Sequence, residues 1–468
     1  MSLGYTYDLV DISPYEFEKI IDIHLIDALL EHTRIYIRGI IKEEDIDKYV
    51  DNAKEKQAFE INLKGKDSSI ILFKGFVGNI KIKAGGNLRE LEIVGIGATF
   101  FMDNKLKKKS YQDIKMLYTQ VIDDSISEFN GAYAQQILSG KKIEKLIIRY
   151  DETSWEFVKR LASHFNAFIA PDRKFYEPRF YISNLPSLNN LNLEEFDYEI
   201  DRNLISFTNK KDNKVSGIME QNFTSYIIKT NKILDLCQSI NFKGRKLYIY
   251  KCDIQMQDSI FYNKYYLSDE DGLKQKYIYN EKIKGNAIYG EVADIKEDKV
   301  KVQLDIDEKR PLDKLMYFEY STIYSTEDGS GWYFMPELKD RIKLYVPENK
   351  EELAFVESAA NLEPKKPQKR KNPDIKTLCT VYGKEVKFQK GQVDIICNEG
   401  LYIRLEDNGG IQIISNKNIN LEADDSINIS GNSISIKGEE GVIVTQNEEC
   451  KLELKDEITM SGGRVNIE

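Results

Sequence analysis

The clearest pattern in the chain is a repeat in its carboxyl-terminal part, where two apolar residues flank one other residue. This apolar pair recurs roughly every eight residues between Val386 and Val465. Asn, Asp, Gly and Ser separate the pairs, which predicts short strands with a turn after each. We predict that the inward-facing residues of these strands are Ile411, Ile413, Ile419, Leu421, Ile427, Ile429, Ile434, Ile436, Val442, Val444, Leu452, Leu454, Ile458, Val465 and Ile467.

A repeat this short can build one side of a triangular prism. One chain that closed all three sides would use roughly 24 residues per coil, and the few coils would leave strand edges unpaired at both ends. Three chains that each supply one side would make a much longer needle, with Ile and Val side chains filling its axis. We therefore expect a trimeric β-helical needle over residues 386–468. An antiparallel sandwich is the alternative, but its strands recur less regularly.

Residues 1–283 are mixed, and strands dominate the pattern. Strands are predicted at Arg34–Arg38, Ser69–Phe73 and Leu91–Gly95. The segment Glu16–Leu30 fits the strand period in some places and the helix period in others, so its structure stays open. A helix is predicted within Asp151–Phe165, because Asp151 and Thr153 are cap candidates and apolar residues follow at spacings of three and four.

The pattern over residues 284–362 predicts an all-β domain. Apolar and polar residues alternate on both sides of the turn Glu297–Asp298, which indicates a hairpin. About five strands are expected, as in a small barrel of the OB type. The further strands are predicted at Leu315–Tyr324, Trp332–Met335 and Arg341–Val346. We expect the barrel core to contain Val300, Val302, Leu304 and Trp332.

Charge narrows the possible partners. A polar run rich in Lys, Arg and Pro follows the barrel, and we interpret residues 363–385 as a basic linker. The whole chain has 67 Lys and Arg against 77 Asp and Glu, a formal net charge of −10. Residues 400–468 carry 6 Lys and Arg against 13 Asp and Glu, so the predicted needle is acidic. No nucleic-acid partner is therefore expected.

Candidate chemistry is sparse. The 3 His are far apart, and none of the 5 Cys is in CxxC spacing, which argues against a metal centre and a disulfide framework. Adjacent carboxylates such as Glu439 and Glu440 would point to opposite sides on a strand and are usually solvated in a turn, so they do not favour a catalytic pair. We predict no cofactor, no metal and no enzymatic activity. No secretory signal and no apolar run long enough to span a membrane as a helix is visible.

The segment Tyr150–Phe165 resembles a signature of the hub–spike proteins of contractile injection machines. These are the VgrG proteins of type VI secretion and the central hub and spike of contractile phage tails and R-type bacteriocins. The family pattern is Y-(N/D)-E-(S/T)-x-W-x-F-x-x-R-L-A, and the chain matches it with Tyr150, Asp151, Glu152, Trp155, Phe157, Arg160 and Leu161. The barrel pattern and the tail repeat resemble the family's neck barrel and needle, in the same order.

The resemblance implies a mainly β chain with four regions: a tube-adaptor hub (1–283), an OB-like barrel (284–362), the basic linker (363–385) and a triangular β-helical spike (386–468). It implies a homotrimer that joins a six-fold tail tube to a three-fold needle. The implied partners are the tail tube protein, baseplate wedge proteins, a PAAR-like tip protein and the target cell envelope. The chain would be made in the cytoplasm and act outside the producing cell in a phage-tail-like particle. A trimeric β-helical tail fibre that binds or cleaves surface glycan is the alternative.

Overall fold

The computed structural model describes residues 5–51, 53–65, 69–136, 138–182, 191–194, 197–257, 260–359, 371–446, 450–461 and 463–464. The chain forms two compact units, Met1–Leu362 and Glu363–Glu468. Strands dominate both units, so the predicted mainly β class is confirmed. None of the helices in these residues combines the length and the apolar character that crossing a bilayer requires.

The first part of the hub is an antiparallel sheet. Its elements are β1 Val10–Ser13, β2 Lys19–Ala28, β3 Arg34–Ile40, α1 Ile46–Asp51, β4 Ala58–Lys64, β5 Ser69–Gly85 and β6 Leu88–Ile96. The segment whose structure the pattern left open is the strand β2, which pairs antiparallel with β3. Its Ile23 and Leu25 are fully buried, whereas His24 lies on the other face, because side chains alternate along a strand.

A smaller part with its own core follows. Its elements are β7 Lys107–Tyr111, α2 Tyr118–Ile126, β8 Tyr133–Gln136, β9 Ile147–Glu152, α3 Ser154–Ser163, β10 Ile169–Pro171 and β11 Arg179–Ile182. The predicted helix is α3, and its cap is Thr153. The Thr153 hydroxyl accepts a hydrogen bond from the N–H of Glu156 at 3.0 Å, and the Glu156 carboxylate accepts one from the N–H of Thr153 at 3.0 Å. This capping box satisfies two donors at the helix start. Asp151, the other cap candidate, lies at the end of β9.

The remaining hub strands extend the first sheet. The elements are β12 Leu191–Leu193, β13 Tyr198–Arg202, α4 Leu204–Asp212, β14 Thr224–Thr230, β15 Ser239–Phe242, β16 Arg245–Gln257, β17 Ile260–Ser268 and α5 Glu270–Leu273. Because β16 pairs with β2, the two parts form one 12-stranded sheet with the main path β1-β4-β5-β6-β3-β2-β16-β17-β14-β13. One core under this sheet includes Ile35 and Phe73 from the first part and Ile254 and Tyr265 from the second.

The barrel region is a small 5-stranded sheet. Its strands are β18 Asn286–Lys296, β19 Lys299–Leu304, β20 Tyr317–Glu319, β21 Arg341–Val346 and β22 Phe355–Ala359. The strand order is β20-β19-β18-β21-β22. The two edges meet where Tyr320 bridges Val356, and the N–H of Ser321 donates to the Val356 carbonyl at 2.8 Å. The sheet therefore curls until its edge strands touch.

Four details of the barrel differ from the prediction. The strand predicted over Leu315–Tyr324 shortens to β20, Trp332–Met335 is not a strand, and β22 was missed. Val300, Val302 and Leu304 are fully buried in the barrel core, but Trp332 lies outside that core and is 47% exposed. The reason is local: the chain turns back around Thr326–Gly329, and the Trp332 N–H donates to the Tyr324 carbonyl at 2.8 Å instead of joining the sheet.

The described residues of the second unit form two antiparallel sheets. Their strands are β23 Lys376–Cys379, β24 Glu385–Gln389, β25 Gln392–Asn398, β26 Leu401–Glu406 and β27 Gly410–Ser415, then β28 Val442–Thr445, β29 Lys451–Leu454 and β30 Ile458–Ser461. Because β23 pairs with β24, an ordered strand occupies part of the predicted linker. The segment 416–441 is described throughout and contains no strand. Val465 and Ile467 lie outside the described residues.

Candidate functional site

The strand β9 lies between two cores and joins the hub to the barrel. Its Ile147 belongs to the core around α2 and α3, whereas Ile148 and the preceding Leu146 belong to the barrel core. Successive side chains on a strand point to opposite faces, so one short strand contributes to both cores. Tyr150, the first residue of the signature, packs against the barrel core from the same strand.

A buried guanidinium ties this junction together. Arg160 of α3 has a side chain that is 1% exposed. Its Nε and Nη2 donate to the two carboxylate oxygens of Glu152 at 2.7 and 2.8 Å, and its Nη1 donates to Glu351 Oε1 at 2.7 Å. Nη2 also donates to the Ile148 carbonyl at 2.9 Å. Glu351 begins a 3₁₀ turn, Glu351–Leu353, that leads into the barrel strand β22. Burial lowers the pKa of Arg160, but the two carboxylates outweigh it, and the net direction is upward.

The other signature residues pack or fasten the same junction. Trp155, Phe157 and Leu161 fill the core beneath α3. Trp155 Nε1 donates to the Leu30 carbonyl at 3.3 Å, which ties α3 to the end of β2. Asp151 is partly exposed and forms an ion pair with Lys108 at 3.5 Å. Core packing, hydrogen bonds and ion pairs within the fold therefore account for every residue of the signature.

A second polar contact between hub and barrel could not be read from the sequence. The Ser110 N–H donates to Asp307 Oδ1 at 2.7 Å, and Ser110 Oγ donates to Oδ2 at 2.5 Å. Nearby, Gln112 Nε2 donates to the Val302 carbonyl at 3.1 Å. Burial raises the pKa of Asp307, although the hydrogen bonds from Ser110 oppose this. The partners are 197 residues apart, and no local pattern links them.

His164 ends α3 at the same junction. Its Nδ1 lies 2.9 Å from the Tyr118 hydroxyl, and its ring stacks on Tyr277 with the centroids 4.5 Å apart. Its Nε2 is buried and has no hydrogen-bond partner among the described residues. Burial, together with the positive charges of Arg160 and Lys145, lowers the pKa of His164 well below 6.5. The imidazole is therefore neutral in the folded hub.

Acidification below pH 6.5 is expected to destabilise the hub through His164. The unfolded chain binds a proton there below about pH 6.5 and the folded chain does not, so stability falls as pH falls. One such group contributes a slope of up to about 1.4 kcal/mol per pH unit. Urea unfolding between about pH 7 and pH 5 should show a shallower loss in His164→Gln than in the unchanged chain. Equal slopes would contradict the assignment.

In the tail, the apolar pairs line up across neighbouring strands. One cross-strand row is Val386, Ile395, Ile403 and Ile413, and a second is Phe388, Val393, Leu405 and Ile411. Cross-strand partners and residues two apart share a face, so both rows lie on one side of the sheet. This apolar face is uncovered in the single chain, where Ile411 is 71% exposed.

The opposite side of that sheet carries polar residues together with one apolar row, Ile396, Tyr402 and Ile414. Asp394 is buried there and accepts hydrogen bonds from Arg404 Nε and Gln392 Nε2, each at 2.8 Å. Burial raises the pKa of Asp394, but these hydrogen bonds hold it below its usual value. The charges of Asp394 and Arg404 are thus satisfied on one side of the sheet, whereas the side with the two apolar rows is uncovered in the single chain.

Alternating apolar residues also recur in the rest of the tail. In the last sheet, Val442 pairs with Leu454 and then Ile458, and Val444 pairs with Leu452 and then Met460. In the segment 416–441, each member of the predicted pairs is at least half exposed: Ile419, Leu421, Ile427, Ile429, Ile434 and Ile436. The predicted needle residues within the described part of the tail thus fall into two groups, those with cross-strand partners in the two sheets and those in the strandless segment 416–441.

Comparison with known proteins shows which folds this architecture resembles. No protein-family model and no curated protein matches the chain. The E. coli c3393 protein is described as a component of the type VI secretion system with structural similarity to the T4 bacteriophage tail proteins gp27 and gp5. It matches with a TM-score of 0.52 and 11% identity, over 75% of this chain and 99% of that one. The Francisella PdpA–VgrG complex, half-lidded, matches with a TM-score of 0.53 and 10% identity, over 86% and 87%. The lidless PdpA–VgrG complex gives 0.53 and 9%, over 86% and 97%.

The chain has the fold of VgrG-like hub–spike proteins. The predicted resemblance is confirmed at that level. Within the VgrG-like fold, the signature segment builds the hub–barrel junction around Arg160. In the residues that the structure describes, no group of three or more His, Cys, Asp or Glu is placed to hold a metal ion.

Proposed function

We propose that this chain is the structural baseplate hub and central membrane-piercing spike of a contractile injection system, and that it works as a homotrimer. The observation that carries the proposal is the apolar face of the tail, which lies exposed on a chain with a VgrG-like fold. Extended apolar surface of this kind marks an interface. Three copies that turn this face inward would bury it along one axis.

The energetics favour such an assembly. Each Ile or Val side chain that becomes fully buried contributes about 1.5–3 kcal/mol, and threefold symmetry repeats each contribution three times. The segment 416–441 has no strand partner in its own chain. Strands of the neighbouring copies would satisfy its N–H and C=O groups. Exposed carboxylates at the corners, such as Asp424 and Asp425, would oppose edge-to-edge association of finished needles.

The proposed roles are assigned to regions in their order along the chain. Residues 1–283 form the tube-adaptor hub, 284–362 an OB-like barrel and 386–468 the β-helical spike. The buried network around Arg160 supports the proposal, because a spike that pierces must pass force between hub and barrel without hinging. The hub would bind the tail tube protein and baseplate wedge proteins, and the spike a PAAR-like tip protein. The particle would act outside the producing cell on an envelope, by force rather than by bond cleavage.

The purified full chain is expected to be a homotrimer in light scattering, because the apolar face of the tail cannot be buried within one copy. Removing residues 386–468 should weaken or abolish the trimer and leave the hub and barrel folded, since their cores contain no residue of the tail. A stable full-length monomer with an intact β-sheet signal would contradict the proposed needle. A truncated chain that stays equally trimeric would assign assembly to the hub instead.

A further inference from the structure

The chain between β20 and β21 folds into a small hairpin, residues 324–334, which we call the aromatic hairpin. Ser325 and Gly331 form an antiparallel bridge, so Tyr324 lies opposite Trp332. The Trp332 ring also contacts the Phe334 ring, with the centroids 5.7 Å apart. The side chains of Tyr324, Trp332 and Phe334 are all exposed. Adjacent exposed aromatic rings of this kind mark an interaction surface.

The hairpin is held to the barrel by its other face. Side chains alternate along a strand, so Tyr333 points away from the side that carries Trp332. The Tyr333 hydroxyl donates to the Glu297 carbonyl at 2.9 Å, in the turn between β18 and β19. The face with Tyr324, Trp332 and Phe334 therefore points away from this contact and into solvent.

One carboxylate lies on the same face as the three rings. Thr326 and Ser330 are the next residues on that side toward the tip, and the Thr326 N–H donates to the Ser330 carbonyl at 2.9 Å. Both hydroxyls donate to Asp328 Oδ1, Ser330 Oγ at 2.7 Å. Residues two apart on a strand are separated by about 6.4–6.8 Å. The Asp328 carboxylate therefore lies about one such step beyond the pair of Tyr324 and Trp332.

The charge of Asp328 has no cationic partner. Hydrogen bonds from Thr326 and Ser330 lower the pKa of Asp328 to about 2, so it is ionised at neutral pH. These bonds all go to Oδ1, and Oδ2 accepts none from the described residues. No Lys or Arg in the described part of the chain forms an ion pair with Asp328, and residues 315–338 contain neither type. The face thus combines aromatic rings with an uncompensated negative charge.

We propose that this face of the aromatic hairpin is a docking site for an arginine-bearing segment of another protein. The arginine stem would lie across the rings of Tyr324 and Trp332, and its guanidinium would bind Asp328 Oδ2. One extended side chain can span both, because the carboxylate lies one strand step from the ring pair. The site belongs to the barrel and does not depend on the trimeric needle.

Charge complementarity selects a cation, and the rings select arginine among the cations. A guanidinium is planar and weakly hydrated, so it stacks on aromatic faces and still pairs with a carboxylate. Tyr, Trp and Arg are also the residues that contribute most to protein interfaces. A lipid surface would cover the rings, but it would take the charge of Asp328 out of water without a counter-ion.

The fluorescence of Trp332 in the full-length protein provides the test. The chain has two Trp, and Trp155 is almost completely buried, so acrylamide should quench mainly Trp332. Millimolar acetyl-Pro-Arg-Pro-amide should lower the quenching constant of Trp332 at least about twofold, because an arginine stacked on the ring excludes the quencher. The Trp332→Phe variant supplies the Trp155 signal that is subtracted.

Matched controls separate docking from general charge attraction. Acetyl-Pro-citrulline-Pro-amide has a similar shape without the charge and should protect Trp332 far less. Asp328→Asn keeps the Oδ1 acceptor of the turn but removes the charge, and it should weaken binding of the Arg peptide about two- to fivefold. Glu337→Gln makes the same charge change elsewhere in the loop and should leave binding unchanged. Equal protection by the two peptides, or equal binding to Asp328→Asn and the unchanged chain, would overturn the docking site.

Two further results would assign the face to another occupant and overturn the proposal. If Trp332 is as poorly quenched as Trp155 before any peptide is added, a second copy of the chain already covers the face. If phosphatidylcholine vesicles shift the Trp332 emission to shorter wavelength and the Arg peptide gives no protection, the face binds a membrane. Absence of any protection by millimolar Arg peptide would overturn the docking site as well.

Discussion

Replacing Arg160 with methionine is expected to lower the free energy of unfolding of the hub–barrel unit by about 3–5 kcal/mol. The guanidinium contacts both oxygens of Glu152 and one of Glu351, and all three side chains are almost completely buried. Methionine has a similar length and fills the same space, but it leaves two carboxylates in a low-dielectric site with no counter-ion. Removing one partner of a buried ion pair lowers the stability by more than the intact pair contributes, because the remaining charge stays buried without a counter-ion.

Urea unfolding of the full chain measures this loss, and Arg341→Met is the matched control. Arg341 also binds a carboxylate, with its Nη1 2.7 Å from Asp305 Oδ1, but this pair is partly exposed on the barrel. Its loss should cost less than about 1 kcal/mol. Adding Glu152→Gln and Glu351→Gln to Arg160→Met should restore part of the stability, since no buried charge then remains. Similar losses in the two arginine variants would show that the junction does not rely on Arg160.

Replacing Ile427 with aspartate is expected to abolish the trimer while the hub and barrel stay folded. Ile427 is 51% exposed in the single chain, so the substitution removes little from the fold of one copy. In the proposed needle, symmetry would bring three carboxylates into one apolar layer. Three copies would lose about 5–9 kcal/mol of apolar burial in that layer. Like charges in an apolar layer cannot pair with each other, which adds a further penalty.

Light scattering and sedimentation of Ile427→Asp and Asp425→Asn give the comparison. Asp425 is exposed and precedes the apolar pair, so its change to asparagine should leave the trimer intact. An Ile427→Asp protein that remains trimeric, or two variants that dissociate alike, would contradict the inward register assigned to Ile427. A loss of the β-sheet signal of the hub in Ile427→Asp would contradict the proposed division between hub and spike.

The sequence by itself determined the features whose cause is local. The helix α3 follows from a capping box between residues three apart and from apolar residues at helical spacing, both contained in one short segment. The barrel hairpin follows from the alternation after the turn Glu297–Asp298, and β18 and β19 form that hairpin with a bulge between Val292 and Asp294. The apolar side of the tail follows from the two-residue period of its apolar pairs. Alternate residues of a strand point to the same side, and in the observed register the apolar residues of neighbouring strands lie opposite one another.

The tertiary structure alone decided the features that depend on distant partners. Glu16–Leu30 fits two periods, and β2 is a strand because β3 and β16 bind its two edges. Trp332 is a large aromatic residue of the kind that fills protein cores, but the turn before it places it outside the barrel sheet. Arg160 could be recognised as part of a pattern, yet its second carboxylate, Glu351, lies 191 residues away. The local period of apolar residues shows which face of a strand or helix is apolar. Which residues pack against that face, and which charges pair, depends on segments that are distant in the sequence and is decided only by the tertiary structure.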